Sequence, residues 1–544
     1  MLKLIFNSFS KKERIAFLAA LAVFVLSFIT RTSIAVEEQS VLVPVEGGTY
    51  REGIVGQPVM INPIVSRNPA DLDLSSAIYS TLGDLATNHE IEKDGRVHTI
   101  KIEEGQKWSN GTPLTSDDII FTIQTIQNPD TKSPLFKNWE GVIAERVSEL
   151  QIRFTLQAPY AFFEESMGKL PIIPEHIFGK IPAANLSLSS YNLEPVGSGP
   201  YKFKSFSKRK DGFIKEFHLV PNKYYGEEGP FLKNLYFVFF ENERDLLRAF
   251  RFRQISGFGS ANPNEKVLGE ARNNTTTSIV PMSRYYAVFF NENVNPILKS
   301  EALRTALRDA IDKEDIVRKV FPAMTASAID GPVVTVEKKG NEGKLSKEEV
   351  QAAIEKRKKA EGRIALNLVI PDVDFLEQTA SMIKERWESV GVDEVNILKL
   401  SSEDLLENVL KPNNYEMLLF GNIAEIPEDV FPFWHSKERF YPGLNLSLYK
   451  NTRADTLMES IRQSGSAEER KELVEELQSV IENDTPAIFL YSLPYVHIHT
   501  NKLKGFITEE SIISSPSERL RYVARWHVKT ARVVEDSVET QKAE

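Results

Sequence analysis

The sequence predicts an α/β fold, and two observations carry that prediction. Segments that alternate at period two, as strands do, are followed by segments with helical spacing of apolar residues, and no repeat of fixed period appears. The clearest unit is a strand at 364–370, a helix from Asp374 to Val390 that stops at Gly391, and a strand at 395–400. Because a helix joins these two strands, we expect them to pair in parallel.

The remaining elements are predicted from local signals in chain order. A strand at 98–103 (HTIKIE) precedes a helix that begins at Thr115, whose side chain forms a capping box with Asp118 three residues later. We interpret the adjacent carboxylates of Asp117 and Asp118 as helix-start residues and not as a catalytic pair, because no histidine or second acid pair lies nearby. Further strands are predicted at 216–220, 235–240 and 487–491, and further helices at 301–319, after Ser346 with Glu349, and after Ser466 with Glu469.

The length and composition indicate a folded protein of two or three lobes. The chain has 544 residues, of which 42% are hydrophobic and 26% charged, an ordinary balance for globular proteins. Its net charge is −10, whereas proteins that bind nucleic acid need a basic surface to displace phosphate counterions. We therefore expect no nucleic-acid partner.

The chain contains no cysteine. This excludes disulfides, thiolate metal ligands and cysteine nucleophiles. It also excludes a lipid-modified cysteine, so any membrane attachment must be made by the polypeptide itself.

The N-terminus resembles an export signal. Residues Ile15–Thr30 are uncharged and almost wholly apolar, and they follow a basic stretch that contains Lys11, Lys12 and Arg14. Residues 1–36 are predicted to be either a signal peptide cleaved after Ala35 or an uncleaved membrane anchor, and both remain open. In either case residues from 37 onward lie outside the cytoplasm, at the periplasmic or outer face of the membrane.

Motifs that carry catalysis are missing from the sequence. Val196–Pro200 (VGSGP) places Ser198 between glycines but lacks the spacing of a nucleophile elbow, and we interpret it as a structural turn. His497 and His499 lie on one face of a predicted strand; a metal site there is conceivable, but packed or solvated histidines are the preferred interpretation. The sequence therefore predicts no catalytic residue, no metal and no cofactor.

Four segments in order resemble the extracellular solute-binding proteins of family 5, the oligopeptide- and dipeptide-binding receptors of ABC importers. The most specific are 108–118 (WSNGTPLTSDD), similar to W-S-D-G-x-P-x-T-A-x-D, and 195–201 (PVGSGPY), similar to P-V-G-T-G-P-Y. Segments 304–313 (RTALRDAIDK) and 484–488 (DTPAI) are weaker matches, and the likeness runs from about Gly47 to Tyr495.

This resemblance implies a fold of the type II periplasmic-binding-protein-like class, with two main lobes that close on the ligand and an extra third lobe. The lobes are expected to be discontinuous in sequence. The expected divisions are 37–76, 191–290 and 484–528 for lobe I, 77–190 for the extra lobe II, 291–483 for lobe III, and 529–544 for a disordered tail.

The resemblance also implies a ligand site at residues 421–427. In peptide-binding members a stretch shaped like G-W-x-x-D-Y-x-x-P lines the cleft, and its acid pairs with the amino terminus of the peptide. Here Glu425 keeps the carboxylate, whereas Asn422 stands where the family has tryptophan. The predicted ligand-binding residues are Gly421, Asn422, Ile423, Ala424 and Glu425, with the strand backbone adding the peptide as a further strand.

The predicted function is therefore that of a monomeric, non-enzymatic receptor that captures peptides by closing its lobes and presents them to an ABC permease. Three alternatives remain open: the same fold binding an oligosaccharide or a metal chelate, an anchored peptide sensor or chaperone, and a secreted hydrolase. The hydrolase would need a nucleophile and base that the sequence does not supply.

Overall fold

The computed structural model describes residues 10–38, 40–226, 229–321, 326–334, 344–506 and 512–534. Its strands are β1 Ser40–Pro44, β2 Thr49–Val55, β3 Ala86–Ile91, β4 Val97–Ile102, β5 Ile143–Ser148, β6 Gln151–Thr155, β7 Tyr201–Lys208, β8 Ile214–Pro221, β9 Asn234–Phe240, β10 Gly257–Ser260, β11 Thr275–Val280, β12 Arg284–Phe290, β13 Ser327–Ala328, β14 Ala365–Pro371, β15 Glu394–Leu400, β16 Met417–Ile423, β17 Ala487–Ser492, β18 Tyr495–Thr500 and β19 Thr530–Val534.

The helices alternate with these strands along most of the chain. They are α1 Lys11–Glu38, α2 Pro69–Ile78, α3 Leu82–Leu85, α4 Ser116–Gln127, α5 Phe136–Trp139, α6 Phe163–Gly168, α7 Glu175–Phe178, α8 Glu243–Arg251, α9 Glu265–Leu268, α10 Glu301–Asp309, α11 Lys313–Val320, α12 Lys347–Glu361, α13 Asp374–Ser389, α14 Ser402–Leu405, α15 Phe431–Trp434, α16 Thr452–Gln463 and α17 Ala467–Asp484. Short 3₁₀ helices lie at Pro129–Thr131, Ala183–Leu188, Ser190–Asn192, Pro296–Lys299, Ser436–Glu438, Pro516–Leu520 and Val523–Arg525, and a π-helical turn at Leu406–Leu410.

Three main sheets organise the fold. A seven-stranded sheet has the order β11-β18-β10-β2-β9-β8-β7, a six-stranded sheet β13-β17-β12-β16-β14-β15, and a four-stranded sheet β3-β4-β6-β5. The predicted parallel pairing of β14 with β15 across α13 is confirmed, with Ala365 opposite Glu394 and Pro371 opposite Leu400. We call the sheets with their helices the seven-, six- and four-stranded units.

The six-stranded sheet is buried on both faces. On β12 the alternating residues Tyr286, Val288 and Phe290 pack into one hydrophobic cluster, with α10 and α13. The intervening residues Tyr285, Ala287 and Phe289 pack into a second cluster on the other face, with α16 and α17. Two covered faces explain why this strand reads as a nearly continuous apolar run.

Local helix signals are mostly confirmed. Thr115 and Ser346 form the predicted capping boxes with Asp118 and Glu349, and Ser466 caps α17. The single helix predicted at 301–319 is wrong, because the chain divides it into α10 and α11. Asp312 leaves helical geometry there, and its side chain accepts from the backbone N–H of Asp315 at 2.9 Å to start α11 anew.

The two ends of the folded body are paired with each other. β1 runs antiparallel to β19, with Ser40 opposite Val534 and Pro44 opposite Thr530. Disorder from residue 529 onward was therefore a wrong prediction for Thr530–Val534; residues 535–544 lie outside the described part of the chain. A pairing between strands almost 500 residues apart leaves no local signal in either segment.

Sheet membership also differs from the predicted lobe divisions at two strands. β12 and β17 were assigned from the sequence to lobe I, but both lie in the six-stranded sheet that holds most of the predicted lobe III. They pair with each other in the middle of that sheet. The chain therefore passes between these two units just before β12 and just after β17.

The N-terminal helix α1 stands apart from the sheets. Within it, Lys11–Arg31 has the length and composition of a membrane span, and none of that segment is buried against the rest of the protein. A signal sequence has the same properties. The exposed apolar surface is consistent with either predicted fate of residues 1–36.

Candidate functional site

Two short connections join the seven- and six-stranded units. One runs from β11 to β12 through residues 281–283, and the other from β17 to β18 through Leu493 and Pro494. They lie side by side, since Ser492 Oγ donates to the carbonyl of Met282 at 3.4 Å. Paired short connections of this kind allow two rigid units to rotate about a common hinge.

A cavity of about 520 Å³ lies between these two units. The seven-stranded unit contributes residues 262–266 after β10, the six-stranded unit contributes Phe321 and Val373–Phe375 at the start of α13, and Leu493 closes it at the hinge. Because its walls belong to both units, rotation about the hinge changes its size. A cleft between two lobes, outside the carboxyl ends of parallel strands, is a common place for ligands in α/β folds.

One strand edge beside this cavity is unpaired. β16 pairs with β12 along its whole length, but its described pairing with β14 covers only Met417 and Leu418. By the same register Pro371, the last residue of β14, lies level with Phe420, and the chain then turns away into α13. Residues 421–423 of β16 therefore extend beyond β14, and within the described residues no strand pairs with their backbone groups on that side.

The residues of this free edge face in alternate directions. Gly421 lies opposite Tyr286 and Ile423 opposite Arg284 in the β12 register. A Cβ atom at Gly421 would lie only 2.7 Å from the ring of Tyr286, and that ring contacts Phe375 in the cavity wall with centroids 5.2 Å apart. Glycine thus lets Tyr286 pack against the strand, and Ile423 is 47% exposed on the same face.

The predicted ligand residues Asn422 and Ala424 have their side chains on the other face, in the core. Asn422 Nδ2 donates to Tyr285 Oη at 3.0 Å, and Trp434 Nε1 donates to the same oxygen at 3.0 Å. Ala424 is buried, and its backbone N–H donates to the carbonyl of Ser283 at 2.9 Å. A role for these two residues in ligand binding, which stays a prediction, would have to use their backbone groups.

Glu425 lies at the boundary with the four-stranded unit and is exposed. Its carboxylate accepts a hydrogen bond from Asn138, and its carbonyl accepts from Lys169 Nζ at 2.8 Å. Nearby, Asp429 accepts from Tyr160 Oη at 2.9 Å and from Arg462 at 2.8 and 2.9 Å. The loop after β16 therefore joins β16 to the four-stranded unit, and the carboxylate of Glu425 stands at that junction.

Three residues that the sequence did not predict connect the cavity to the free edge: Arg284, Tyr286 and Phe375. Arg284 is 5% exposed and donates to Asn262 Oδ1 at 3.2 Å and to the carbonyl of Leu493 at 3.3 Å, both in the cavity wall. Burial lowers the pKa of its guanidinium. A signal was present, since arginine heads the otherwise apolar run RYYAVFF.

His497 and His499 belong to a structural cluster in the seven-stranded unit. His497 Nε2 lies 3.0 Å from Glu52 Oε1, Arg519 Nη2 donates to Glu52 at 2.9 Å, and Arg519 Nη1 donates to Asp73 at 2.8 Å. Burial would raise the pKa of Glu52, but His497 and Arg519 together lower it to about 2. In the described part of the chain, no three His, Asp or Glu residues are grouped to hold a metal ion.

The turn at Val196–Pro200 packs against the end of α2. The backbone N–H of Gly199 donates to the carbonyl of Ile78 at 2.8 Å, and a Cβ at Gly197 would lie 2.0 Å from that same oxygen. Ser198 is buried there, and its Oγ accepts from the N–H of Ser80 at 3.4 Å. Close approach of two backbones accounts for the glycines, as a structural turn requires.

Comparisons with known proteins agree with this architecture. The family model of the bacterial extracellular solute-binding proteins, family 5 (middle region), matches residues 81–439. The oligopeptide-binding protein AppA of Bacillus subtilis is 25% identical over 480 residues, which cover 82% of this chain and 87% of AppA.

Solved structures show the same fold. The ABC transporter substrate-binding protein CtaP of Listeria monocytogenes has a TM-score of 0.77 at 23% identity, covering 89% of this chain and 99% of CtaP. NikZ of Campylobacter jejuni, solved with Ni(L-His), has a TM-score of 0.70 at 20% identity, covering 88% and 99%. The predicted type II periplasmic-binding-protein-like α/β fold is confirmed, and proteins of this fold hold chemically different ligands.

Proposed function

We infer that this chain, which belongs to family 5 of the bacterial extracellular solute-binding proteins, captures peptides in the cleft between its six- and seven-stranded units. The observation that carries this proposal is the free edge of β16 at residues 421–423, where Gly421 lies against the ring of Tyr286 and that ring contacts Phe375 of the cavity wall. A free edge offers backbone donors and acceptors to any extended peptide, whatever its side chains. The relative AppA is an oligopeptide-binding protein, which supports the same ligand class.

The amino terminus of the peptide is assigned to Glu425. This carboxylate is exposed, lies two residues beyond the free edge, and accepts from Asn138 of the four-stranded unit. An ammonium group is a stronger partner for a carboxylate than a neutral amide is. A peptide bound along β16 could therefore place its amine between Glu425 and the four-stranded unit, with Gly421, Asn422, Ile423 and Ala424 contributing backbone groups.

The receptor acts by closure, without making or breaking bonds. The two hinge connections let the units close on a peptide, and the closed form is then recognised by an ABC permease in the membrane. The body would lie outside the cytoplasm, either released after cleavage of residues 1–36 or held by α1. Lobes I, II and III correspond in this proposal to the seven-, four- and six-stranded units.

The test is calorimetric titration of the full chain in detergent micelles with two neutral hexapeptides that differ only in acetylation of the amino terminus. The free amine should bind at least about tenfold more tightly than the acetylated form. Glu425→Gln should lose that preference, whereas Glu428→Gln, at an exposed acid three residues further on, should keep it. A preference that survives in Glu425→Gln would reject the assigned amine contact.

A second titration tests the strand addition itself. N-methylation of alternate backbone amides of the peptide removes donors without altering charge. Methylation should weaken binding at the positions that pair with β16 and leave the intervening positions unaffected. Uniform tolerance of methylation, or no binding of any peptide, would overturn the proposal of peptide capture along β16.

A further inference from the structure

The loop between β6 and α6 extends from the four-stranded unit onto the six-stranded unit. Its residue Phe162 is 5% exposed and belongs to the hydrophobic cluster that α16 and α17 form with one face of the six-stranded sheet. Within the described residues, no other fully buried side chain of the seven- or four-stranded unit joins a cluster of the six-stranded unit. We call residues 159–163 the latch loop.

Polar contacts on either side of the buried ring also cross this boundary. Tyr160 Oη donates to Asp429 at 2.9 Å, and the backbone N–H of Ala161 donates to the carbonyl of Arg462 at 2.6 Å. Burial and the neighbouring carboxylate of Asp429 raise the pKa of Tyr160, so its hydroxyl stays a donor. Phe162 is therefore buried without leaving these polar groups unpaired.

The four-stranded unit is joined to the seven-stranded unit by a continuous core. One hydrophobic cluster contains Ile100 and Ile152 of the four-stranded sheet together with Leu219 and Phe237 of the seven-stranded sheet. The clusters of the six-stranded unit are separate from it. A rotation about the hinge therefore moves the seven- and four-stranded units as one body, and opening carries the latch loop away from the six-stranded unit.

The remaining contacts across this boundary are easier to exchange for water. Asn138 and Lys169 both donate to Glu425, but these hydrogen bonds lie at the exposed rim. Water replaces exposed hydrogen bonds with little net change in free energy. Withdrawing Phe162 exposes an aromatic ring instead, and burial of such a side chain shifts an equilibrium about ten- to a hundredfold toward the buried state.

We propose that the latch loop holds the cleft closed in the absence of ligand, and that withdrawal of Phe162 from the six-stranded unit is the step that admits and releases ligand. The proposal rests on the hinged closure of the proposed function and adds the contact that sets its resting state. The protein then supplies part of the free energy of closure itself. Because ligand enters only the minor, open form, association is slowed by the fraction of molecules that is open.

Distances between two spin labels test the resting state in the full chain, without ligand and in detergent micelles. The chain contains no cysteine, so labels attach only where cysteines are introduced. Arg244→Cys on α8 and Ser381→Cys on α13 place exposed labels on either side of the cleft. The wild-type latch loop should give mainly the separation seen in the structure, and Phe162→Ala should make a longer separation the major one. A mainly longer separation with the wild-type loop, or an unchanged one in Phe162→Ala, would overturn the proposal.

A second label pair tests which units move together. Glu145→Cys on β5 of the four-stranded unit, combined with Arg244→Cys, places both labels on the joined body. This separation should stay the same when Phe162 is replaced by alanine. A change would show that the four-stranded unit moves by itself, and the latch loop would then not control the cleft.

Two further variants separate release of the latch loop from a general loss of stability. Tyr160→Phe keeps the ring but deletes the hydrogen bond to Asp429, and it should raise the open population less than Phe162→Ala does. Phe178→Ala removes a phenylalanine that is 1% exposed in the core of the joined units, and it should leave the cleft closed. An equal rise of the open population in Phe178→Ala would reject the latch.

Stopped-flow mixing with the neutral hexapeptide that has a free amino terminus tests the control of ligand entry. The association rate constant should be about tenfold higher in Phe162→Ala than in the wild type. An unchanged rate constant would reject this control. If the wild type binds no peptide, the proposed function fails, whereas the label distances still decide for or against the latch loop.

Discussion

Arg519 and Arg284 are equally hidden from solvent, yet their surroundings are opposite. Arg519 joins β2, α2 and β18 through Glu52, Asp73 and His497, so that charge is balanced inside the seven-stranded unit. Arg284 stands at the hinge with neutral acceptors only. The comparison separates a closed network, in which carboxylates of the protein balance the buried charge, from an open one, in which no carboxylate of the described residues does so.

The largest effect should come from breaking the closed network. Arg519→Met leaves Glu52 and Asp73 buried with too few partners, and we expect the free energy of unfolding of the seven-stranded unit to fall by about 3–5 kcal/mol. Hydrogen exchange of the amides of β2 and β18 in the full chain measures this locally. Arg521→Met, at an exposed arginine two residues away, is the control and should change exchange little. Unchanged protection in Arg519→Met would show that the network contributes little.

A smaller effect should appear as pH dependence in the same unit. Burial, together with the neighbouring His497, lowers the pKa of His499 to about 4. Between about pH 6.5 and 4 the unfolded chain therefore takes up a proton that the folded chain does not, and stability falls as the pH is lowered through this window. We expect a loss on the order of 2 kcal/mol attributable to His499.

Urea unfolding at pH 7 and pH 4.5 checks this prediction. His499→Gln should reduce the loss of stability between the two pH values, and His527→Gln, at a partly exposed position of the same unit, should not. If His499→Gln shows the same pH dependence as the wild type, the titration of that imidazole does not control it.

The smallest effect on stability should come from replacing Arg284, the centre of the open network. Arg284→Met removes a buried charge that has no carboxylate partner, so the free energy of unfolding of the ligand-free chain should stay within about 1 kcal/mol of the wild type or rise. Arg304→Met is the matched comparison and should lower the free energy of unfolding several times more. It removes the hydrogen-bond donor of Glu292 and of three backbone carbonyls. Equal losses in the two variants would remove the distinction between open and closed networks.

The sequence predicted the elements that depend on neighbouring residues. The capping residue Thr115, the stop at Gly391 and the βαβ unit at 364–400 were all readable, because each signal lies within a few residues of its effect. The break between α10 and α11 at Asp312 was not predicted, because the helical spacing of apolar residues continues on both sides of this single capping residue. The local sequence therefore predicted the presence of helices and strands more reliably than the residues at which one ends and the next begins.

The candidate site was harder to predict from the sequence, because it depends on contacts between distant segments. Nothing local tells that the Asn422 side chain donates to Tyr285 in the core, or that Glu425 meets Asn138. The cavity is assembled from segments around residues 262, 373 and 493. The resemblance pointed to β16 as the ligand-binding strand, and the structure was needed to show which of its side chains lie in the core.

The pairing of the first and last strands has a consequence for transport. One residue separates the end of α1 at Glu38 from the start of β1 at Ser40, and β19 pairs with β1 along five residue pairs. If α1 stays in the membrane, the ribbon follows the end of that helix in the chain after a single residue. The receptor would then search for its permease by diffusion within the plane of the membrane, at an effective concentration set by that short tether, and not through the surrounding volume.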